Sequence, residues 1–282
     1  MKTGMVLEGG AMRGLYTAGV LDVLMENGIY TDGTVGVSAG AAFGCNYKSR
    51  QIGRSLRYNC RYCRDPRYIS LRSLIRTGDL YNAQFCYYEI PEKLDPFDTA
   101  AFAASPMEFY VVATDVTTGK PAYHLCRDGG RDDIEWMRAS ASMPLVSRVV
   151  EIGGGLYLDG GVSDSIPIEW FRSIGYEKNI VVLTRKEGYR KKKTSLMGAI
   201  RLSLKKYPHL CEAMEMRHEM YNRQLDYVGE QKKAGNTLVL APSRTPEVKR
   251  TERDPEKLRA LYALGRSDAE ARLGEIREFL SE

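Results

Sequence analysis

No apolar run in this 282-residue sequence is long enough to cross a membrane, because a spanning helix needs about 18 consecutive apolar residues. A cleavable export signal is also missing: Glu8 and Arg13 interrupt the apolar N-terminal patch, and no small-residue cleavage site follows it. We therefore expect a soluble, cytoplasmic protein, with peripheral contact with a membrane left open.

The sequence also lacks a paired cysteine framework. Its six cysteines are scattered, and the Cys60-x-x-Cys63 pair has no second CxxC or HxxxH motif that would complete a zinc site. In a chain expected inside the cell, such cysteines are most simply reduced thiols in or near the core. We therefore predict neither a metal site nor a cofactor.

Histidine is scarce, with only His124, His209 and His218 in the chain. The last two fall in a helical stretch rich in lysine and methionine, where a histidine usually serves packing or the surface. This distribution disfavours a serine-histidine-acid triad. An aspartate that acts directly on a serine needs no histidine.

Charge of one sign is not in large excess, since the net charge is +5. The basic residues form no recognisable binding module for nucleic acid, so we expect no such partner. The densest basic run, over 185–193, precedes a methionine-rich amphipathic stretch. It is either a surface for anionic lipid or, as we favour, a solvated loop before a helix that packs on the core. The oligomeric state stays open.

What the sequence does contain is 43% hydrophobic residues, enough for a large core, and two similar opening units. Met5-Val6-Leu7 and Thr34-Val35-Gly36-Val37 each predict a short strand, followed by a glycine-containing turn and a helix. This alternation is typical of a parallel sheet with crossover helices. The fold class is therefore α/β.

Further patterns organise the rest of the chain. Short helices and loops are predicted over 50–104 (clearest at 70–76 and 89–94), a hairpin at 109–114 and 120–125, and a helix over 133–142. Strands are predicted at 156–158, 179–183 and 237–240, and helices over 195–233, which Pro208 must start, end or kink, and over 254–279. We expect an α/β core over residues 1–186 and a mostly helical region over 187–282 that packs on it or completes it.

One segment of the first unit has the spacing of an activated nucleophile. Gly36-Val37-Ser38-Ala39-Gly40 is a G-x-S-x-G motif between a predicted strand and a predicted helix. The small flanking residues let a serine occupy a strained turn with its hydroxyl exposed, and the helix N-terminus favours developing negative charge. The strand-turn-helix context distinguishes this match from a chance pattern.

A second segment is rich in glycine and also lies between strand and helix: Gly9, Gly10, Ala11, Met12, Arg13 and Gly14. Such a loop presents free backbone N–H groups, and it can bind a phosphate or form an oxyanion hole. A dinucleotide site is disfavoured, because Ala11 replaces the glycine that the G-x-G-x-x-G pattern requires. Arg13 is either a phosphate contact or loop brace, or simply an exposed arginine of the first helical turn.

The third segment is Asp159-Gly160-Gly161, an acid at the end of a predicted strand. By itself it reads as an ordinary Asp-Gly turn. An α/β-hydrolase places several strands before its nucleophile and orders its triad Ser, acid, His, whereas Ser38 follows only the second strand here. Position along the chain therefore points away from that fold.

These segments, in this order, resemble the signature blocks of the patatin-like phospholipases, and 139–144 (ASASMP) resembles a further block of that family. The resemblance spans about residues 4 to 185. It implies a three-layer α/β/α fold with a mainly parallel sheet, a Ser38-Asp159 dyad, an oxyanion hole from the glycine-rich loop, and lipid acyl esters as substrates. One departure is Ala11, where the family commonly has a third glycine; its N–H remains, so we expect activity to survive.

Two other functions compete with lipid acyl hydrolysis. The first is a non-catalytic or regulatory lipid-binding protein of the same fold, since fold and motif do not determine the reaction. The second is a small-ester or thioester hydrolase with the same dyad. A long apolar channel would favour lipid, and a short polar one would favour small esters.

Overall fold

The computed structural model describes residues 1–281 and contains one central sheet of eight strands. The strands are β1 (Lys2–Leu7), β2 (Gly33–Val37), β3 (Glu108–Asp115), β4 (Pro121–Cys126), β5 (Val150–Ile152), β6 (Gly155–Asp159), β7 (Tyr176–Val182) and β8 (Thr237–Leu240). Their order is β5-β6-β3-β2-β1-β7-β8, and β4 pairs with β3 off this path.

The pairing is mainly parallel. β8, β7, β1, β2 and β3 run in one direction, with Val6 opposite Val35 and Val181, whereas β4 and β6 pair antiparallel with β3. The hairpin predicted at 109–114 and 120–125 is confirmed, with its second strand at Pro121–Cys126. The strand β5 was not predicted, because three residues are too few for a detectable alternation of apolar and polar side chains. In the sheet it pairs with β6.

Eleven α-helices lie among the described residues: α1 (Leu15–Glu26), α2 (Ala39–Lys48), α3 (Arg54–Tyr62), α4 (Leu71–Thr77), α5 (Thr99–Ala104), α6 (Arg131–Ala141), α7 (Ile168–Ser173), α8 (Met197–Ser203), α9 (Pro208–Lys233), α10 (Pro255–Glu270) and α11 (Leu273–Ser281). Short 3-10 turns cover Ala11–Gly14 and Gly160–Val162, and a π-helix covers Phe85–Leu94. Among residues 1–281 no helix is both long and apolar enough to span a membrane.

Side chains of β1 alternate between the two faces of the sheet, as strand geometry requires. Met5 and Leu7 join a core cluster with residues of α1 and α10, while Val6 joins a second cluster with residues of α7 and α9. Helices therefore cover both faces. The predicted α/β class with three layers and a mainly parallel sheet is confirmed.

The C-terminal region takes part in both the sheet and a helix layer. β8 adds the last parallel strand beside β7, and α10 crosses α1 so closely that Gly19 and Gly265 each face a carbonyl of the other helix. Tyr262 on α10 donates to the carboxylate of Asp22 on α1, at 2.6 Å.

One helix prediction is confirmed and another needs correction. Pro208 begins α9, where its missing N–H is harmless, as predicted for a proline that must start, end or kink a helix within 195–233; that stretch consists of α8 and α9. The single helix predicted over 254–279 is instead two, α10 and α11. The chain bends between them at Arg272, whose guanidinium donates to the carbonyl of Val239 at the sheet edge.

Candidate active site

Ser38 lies in the turn between β2 and α2, with φ of 55° and ψ of −118°. A non-glycine residue in this region is strained, and such strain is typical of functional positions. The flanking glycines allow the turn: a Cβ on Gly36 would lie 2.6 Å from the carbonyl oxygen of Gly40, and one on Gly40 would overlap the carbonyl of Leu7. The motif spacing therefore reflects close backbone packing around the serine.

Asp159 is the last residue of β6, and the fold brings it to Ser38 across the sheet. Ser38 Oγ donates a hydrogen bond to Asp159 Oδ2 at 2.7 Å, and Gly161 N donates to Asp159 Oδ1 at 2.8 Å. Gly160 also has to be a glycine, because a Cβ there would overlap the carbonyl of Val112. Ser38 and Asp159 are 7% and 4% exposed, so their hydrogen bond is shielded from bulk water.

Burial also sets the proton affinity of Asp159. It raises the pKa of the carboxyl group above its ordinary value, and the charge of Arg217 opposes this rise, as do the hydrogen bonds from Ser38 and Gly161. A carboxylate with a raised pKa is a better proton acceptor for a serine hydroxyl.

The fourth sequence block holds both of these residues in place. Ser38 N donates to Ser140 Oγ at 2.8 Å, and Asp159 N donates to the carbonyl of Ser142 at 2.8 Å. Ser140 and Ser142 flank the C-terminal end of α6, so this one segment anchors the backbone of the nucleophile turn and the backbone of the acid.

We predict that Ser140→Ala slows the reaction of Ser38 with a fluorophosphonate about tenfold, because the buried N–H of Ser38 loses its acceptor and the strained turn relaxes. The rate of adduct formation by intact mass would measure this. Ser142→Ala is the matched control, since within residues 1–281 its hydroxyl donates only to the carbonyl of Arg138 in the last turn of α6. Equal rates for both variants would contradict the role of Ser140.

The glycine-rich loop packs directly against Ser38. A Cβ on Gly9 would lie 2.8 Å from Ser38 Cβ, and one on Gly10 would lie 2.8 Å from Thr184 Oγ1. Gly14 packs with the same tightness against Ala39 and Phe43 of α2.

The amides of this loop divide into two groups. Arg13 N donates to Gly10 O at 3.1 Å and Met12 N to Arg250 O at 3.4 Å, whereas no hydrogen bond within residues 1–281 uses the amides of Gly10 or Ala11. Ala39 is the first residue of α2, so its amide has no partner within the helix. These three amides therefore stay available to a ligand beside Ser38.

Ala11 has φ of 49°, the left-handed region that favours glycine. A glycine would take up this backbone conformation without strain, whereas Ala11 adopts it at some cost. The exposed-arginine interpretation of Arg13 is wrong: its side chain is buried, and its Nε has no hydrogen-bond partner among the described residues.

Two cavities meet at Ser38. The first, here called the apolar cavity, is lined mainly by apolar and aromatic side chains, among them Met12, Ala42, Phe43, Tyr58, Cys86 and Met143. The second, here called the cationic cavity, also reaches Asp159 and is lined by Arg13, Arg185, Lys191, Arg217 and Arg250, with Glu8 among them.

Sequence reasoning did not place Arg217 or Arg250 at the site, and it read Lys191 as part of a solvated run. The structure shows Lys191 instead with its Nζ 4.2 Å from the ring centroid of Tyr221 and its backbone bonded on both sides to the Asn222 amide. No motif could have revealed these residues, since each comes from a different element.

None of the histidines contacts the pair. Among residues 1–281, no hydrogen bond of Ser38 or Asp159 involves a histidine, and His124 bonds to Asp133 at 2.9 Å. His124, Cys126 and Asp133 lie close enough to hold a metal ion. However, Asp133 Oδ2 accepts three backbone N–H bonds, so the carboxylate already has a structural role in the loop before α6.

A strained serine turn after a parallel strand, a buried aspartate bonded to that serine and a glycine-rich loop thus lie together on a three-layer α/β fold. The chain belongs to the patatin-like phospholipase family, whose model matches residues 5–171. A second model, a domain of unknown function (DUF6363), matches residues 207–281.

Two relatives with known sequences each match only part of this chain. The chain is 32% identical over 191 residues to the uncharacterized protein YjjU of Escherichia coli K12, which covers 65% of this chain and 52% of YjjU. It is 25% identical over 185 residues to lysophospholipase nte1 of Aspergillus fumigatus, covering 61% of this chain and 11% of that protein. It thus spans about half the length of the first and about a tenth of the second.

Among solved structures, the crystal structure of VipD from Legionella pneumophila matches with a TM-score of 0.45 and 12% identity. This match covers 97% of this chain and 67% of VipD.

The pKa of Asp159 leads to a prediction about pH. A carboxylate must be deprotonated to accept the proton of a serine, so with Asp159 as the base we expect activity to fall as the pH drops through its pKa. Because the charge of Arg217 lowers this pKa, Arg217→Met should move the acid limb of kcat/KM on an uncharged ester to higher pH. Arg217→Lys keeps the charge and should leave the limb nearer to that of the wild type.

A second titrating group lies in the same cavity, since burial and Arg217 lower the pKa of Lys191 to about 7. Lys191→Met is therefore the control: an acid limb that persists in this variant belongs to Asp159. If the limb vanishes there, or stays unmoved in Arg217→Met, the assignment is wrong.

Proposed function

We propose that this protein is a serine acyl hydrolase that cleaves lipid acyl esters through an acyl-enzyme on Ser38. The observation that carries this proposal is the 2.7 Å hydrogen bond from Ser38 Oγ to the buried carboxylate of Asp159. Family membership supports lipid acyl hydrolysis in general, and the fungal relative named lysophospholipase supports a lipid ester.

In the first half-reaction, Asp159 Oδ2 accepts the proton of Ser38 Oγ while Oγ attacks the ester carbonyl. The amides of Gly10, Ala11 and Ala39 stabilise the oxyanion, and each such donor contributes about 2.7–4 kcal/mol to transition-state stabilisation. The C–O bond to the alcohol then breaks, and the alcohol leaves with the proton from Asp159.

In the second half-reaction, Asp159 takes a proton from water, and the resulting hydroxide attacks the acyl carbonyl. The tetrahedral intermediate collapses, releasing the fatty acid and returning the proton to Ser38. No histidine is needed, because one carboxylate serves as base and acid in both halves.

The apolar cavity supports a lipid over a small ester as the acyl donor. Its lining combines Ser38 with the side chains of Met12, Phe43 and Tyr58, which suits an alkyl chain. A non-catalytic lipid-binding protein would need no proton acceptor on a serine in a strained turn.

The test is intact-mass analysis after a fluorophosphonate probe, with wild type and Ser38→Ala in parallel, followed by fatty-acid release from esters of increasing chain length. We expect one adduct that the variant loses, and faster release from long chains than from acetyl or butyryl esters. Folded wild type without an adduct would overturn the hydrolase; preference for the shortest chains would overturn the lipid substrate.

We also propose peripheral contact with anionic membranes, through α4. Leu71 and Ile75 on this helix are 72% and 85% exposed, and they alternate with Arg72 and Arg76 just before the segment that lines the apolar cavity. An apolar pair beside basic residues suits the surface of an anionic bilayer.

We expect Leu71→Ser/Ile75→Ser to reduce flotation with phosphatidylglycerol vesicles several-fold. Leu202→Ser is the control, because this exposed leucine lies on α8. Equal flotation of the double variant and the wild type would exclude α4 as the contact.

A further inference from the structure

The cationic cavity has a charge excess that acyl transfer does not require. Five basic side chains line it, whereas its carboxylates are Glu8 and Asp159 alone, so basic groups outnumber acidic ones by three. None of the ion pairs within residues 1–281 includes any of the five: Arg13, Arg185, Lys191, Arg217 and Arg250.

The carboxylate of Glu8 does not balance these charges by direct pairing. Its Oε1 accepts from the hydroxyl of Tyr221 at 2.7 Å, and its Oε2 accepts from the backbone N–H and hydroxyl of Thr184 at 2.6 and 3.0 Å. Glu8 therefore braces the cavity wall, and the guanidinium and ammonium groups keep donors free for another anion.

The basic groups also disfavour one another. Burial, followed by the charges of Arg185 and Arg250, lowers the pKa of Arg13 to about 10. Burial and the charge of Arg217 lower that of Lys191 to about 7. Basic groups that repel one another in this way are typical of a site where a bound anion reduces the repulsion.

Position relates this cluster to the substrate. The apolar and cationic cavities share Ala11, Ser38 and Met143, so both adjoin an ester carbonyl bound at Ser38. With the acyl chain in the apolar cavity, the alcohol part of the ester extends into the cationic one.

Resting on the hydrolase proposed above, we propose that the cationic cavity binds the phosphate of the substrate's head group and selects acyl esters whose head group is a net anion. A phosphomonoester offers two negative charges to several donors, and arginines bind phosphate through paired N–H groups. A choline or ethanolamine cation on the same phosphate would enter a cavity that already has excess positive charge.

Most of this subsite comes from outside the matched patatin-like segment. Arg185, Lys191, Arg217 and Arg250 all follow residue 171, and the last two lie within the segment that matches the domain of unknown function. The C-terminal region is tied to the site directly, because Arg250 O accepts from Met12 N and from the hydroxyl of Tyr81 at 2.9 Å. Head-group selection is thus a task for this C-terminal region.

The test compares kcat/KM for three esters with one acyl chain: a monoacylglycerol phosphate, its choline diester and the monoacylglycerol without phosphate. We expect wild type to prefer the phosphomonoester over the choline ester at least tenfold. In Lys191→Met/Arg250→Gln this ratio should approach one, mainly through a higher KM for the phosphomonoester. Lys192→Met, which changes the exposed neighbour, should keep the wild-type ratio.

The remaining outcomes separate the two proposals. Hydrolysis of all three esters without a phosphate preference overturns the subsite and leaves the hydrolase standing. Absence of both hydrolysis and the fluorophosphonate adduct overturns both. Inorganic phosphate should slow labelling of wild type but not of the double variant; if it does so without any head-group preference, the cavity binds free anions and the head-group assignment is wrong.

Discussion

Asp159→Asn is expected to lower kcat for ester hydrolysis about 10⁴-fold while the protein stays folded. The asparagine oxygen can still accept the hydrogen bond from Gly161 N, so the turn after β6 is preserved. Its NH₂ group would face Ser38 Oγ, and an amide cannot take the serine proton in either half-reaction. The measurement is steady-state turnover on a long-chain ester, with circular dichroism to verify folding.

The control for this substitution is Asp115→Asn at the end of β3. Asp115 Oδ1 accepts from Thr117 N and Thr118 N, and an asparagine oxygen can accept the same two bonds. This variant should keep turnover within about twofold of wild type, as expected for a change away from the reacting atoms. If Asp159→Asn retained full turnover, a direct Ser-Asp mechanism could not be correct.

Gly265→Val is expected to destabilise the whole protein by about 3 kcal/mol, near the upper end of overpacking effects. A Cβ at this position would overlap the carbonyl oxygen of Tyr16, and one on Gly19 would overlap that of Tyr262. Both obstacles are backbone atoms, which cannot turn aside as a flexible side chain can. The helices α1 and α10 would have to separate.

Urea unfolding measures this effect, and Gly229→Ala on α9 is the control. A Cβ on Gly229 meets nothing within 4 Å, so the alanine should stabilise its helix by about 0.5–1 kcal/mol. Unchanged stability of Gly265→Val would show that α10 does not depend on this close crossing.

The same substitution is expected to reduce activity at a distance. α1 follows the glycine-rich loop directly, and α10 follows the segment in which Arg250 O accepts from Met12 N. Separating the helices would therefore disturb the glycine-rich loop from both sides. Fluorophosphonate labelling at a temperature where the variant is still folded would detect the loss.

Local patterns in the sequence predicted the elements that matter for the nucleophile. The strands β1 and β2 and the turn at Ser38 were recognisable, because each makes a demand on a few adjacent residues. The aspartate at the end of β6 reads locally as an ordinary Asp-Gly turn, and only the family resemblance assigned it a role. A turn with φ of 55° needs small neighbours, and the close approach of Gly40 to Leu7 tolerates no side chain. These steric requirements explain the spacing of small residues around Ser38, which is visible in the sequence itself.

Other features left a weaker trace. The block over 139–144 was recognised only as a resemblance, and its purpose follows from two hydrogen bonds, Ser38 N to Ser140 Oγ and Asp159 N to Ser142 O. The bend at Arg272 depends on a carbonyl of β8, which no periodicity in the helical pattern reveals. These are contacts between segments far apart in the chain.

The sequence alone thus determined the α/β class, the order of the site motifs and, through those motifs, the resemblance to the family. Each of these depends on short segments whose residues are required by the local backbone geometry. The tertiary structure decided the rest: that Ser38 and Asp159, 121 residues apart, share a hydrogen bond, and that basic side chains from several elements line one cavity beside them. The reason is physical. Two charged side chains from separate segments interact only when folding brings them close together, because the interaction energy depends on the distance between them. No local sequence pattern contains that distance.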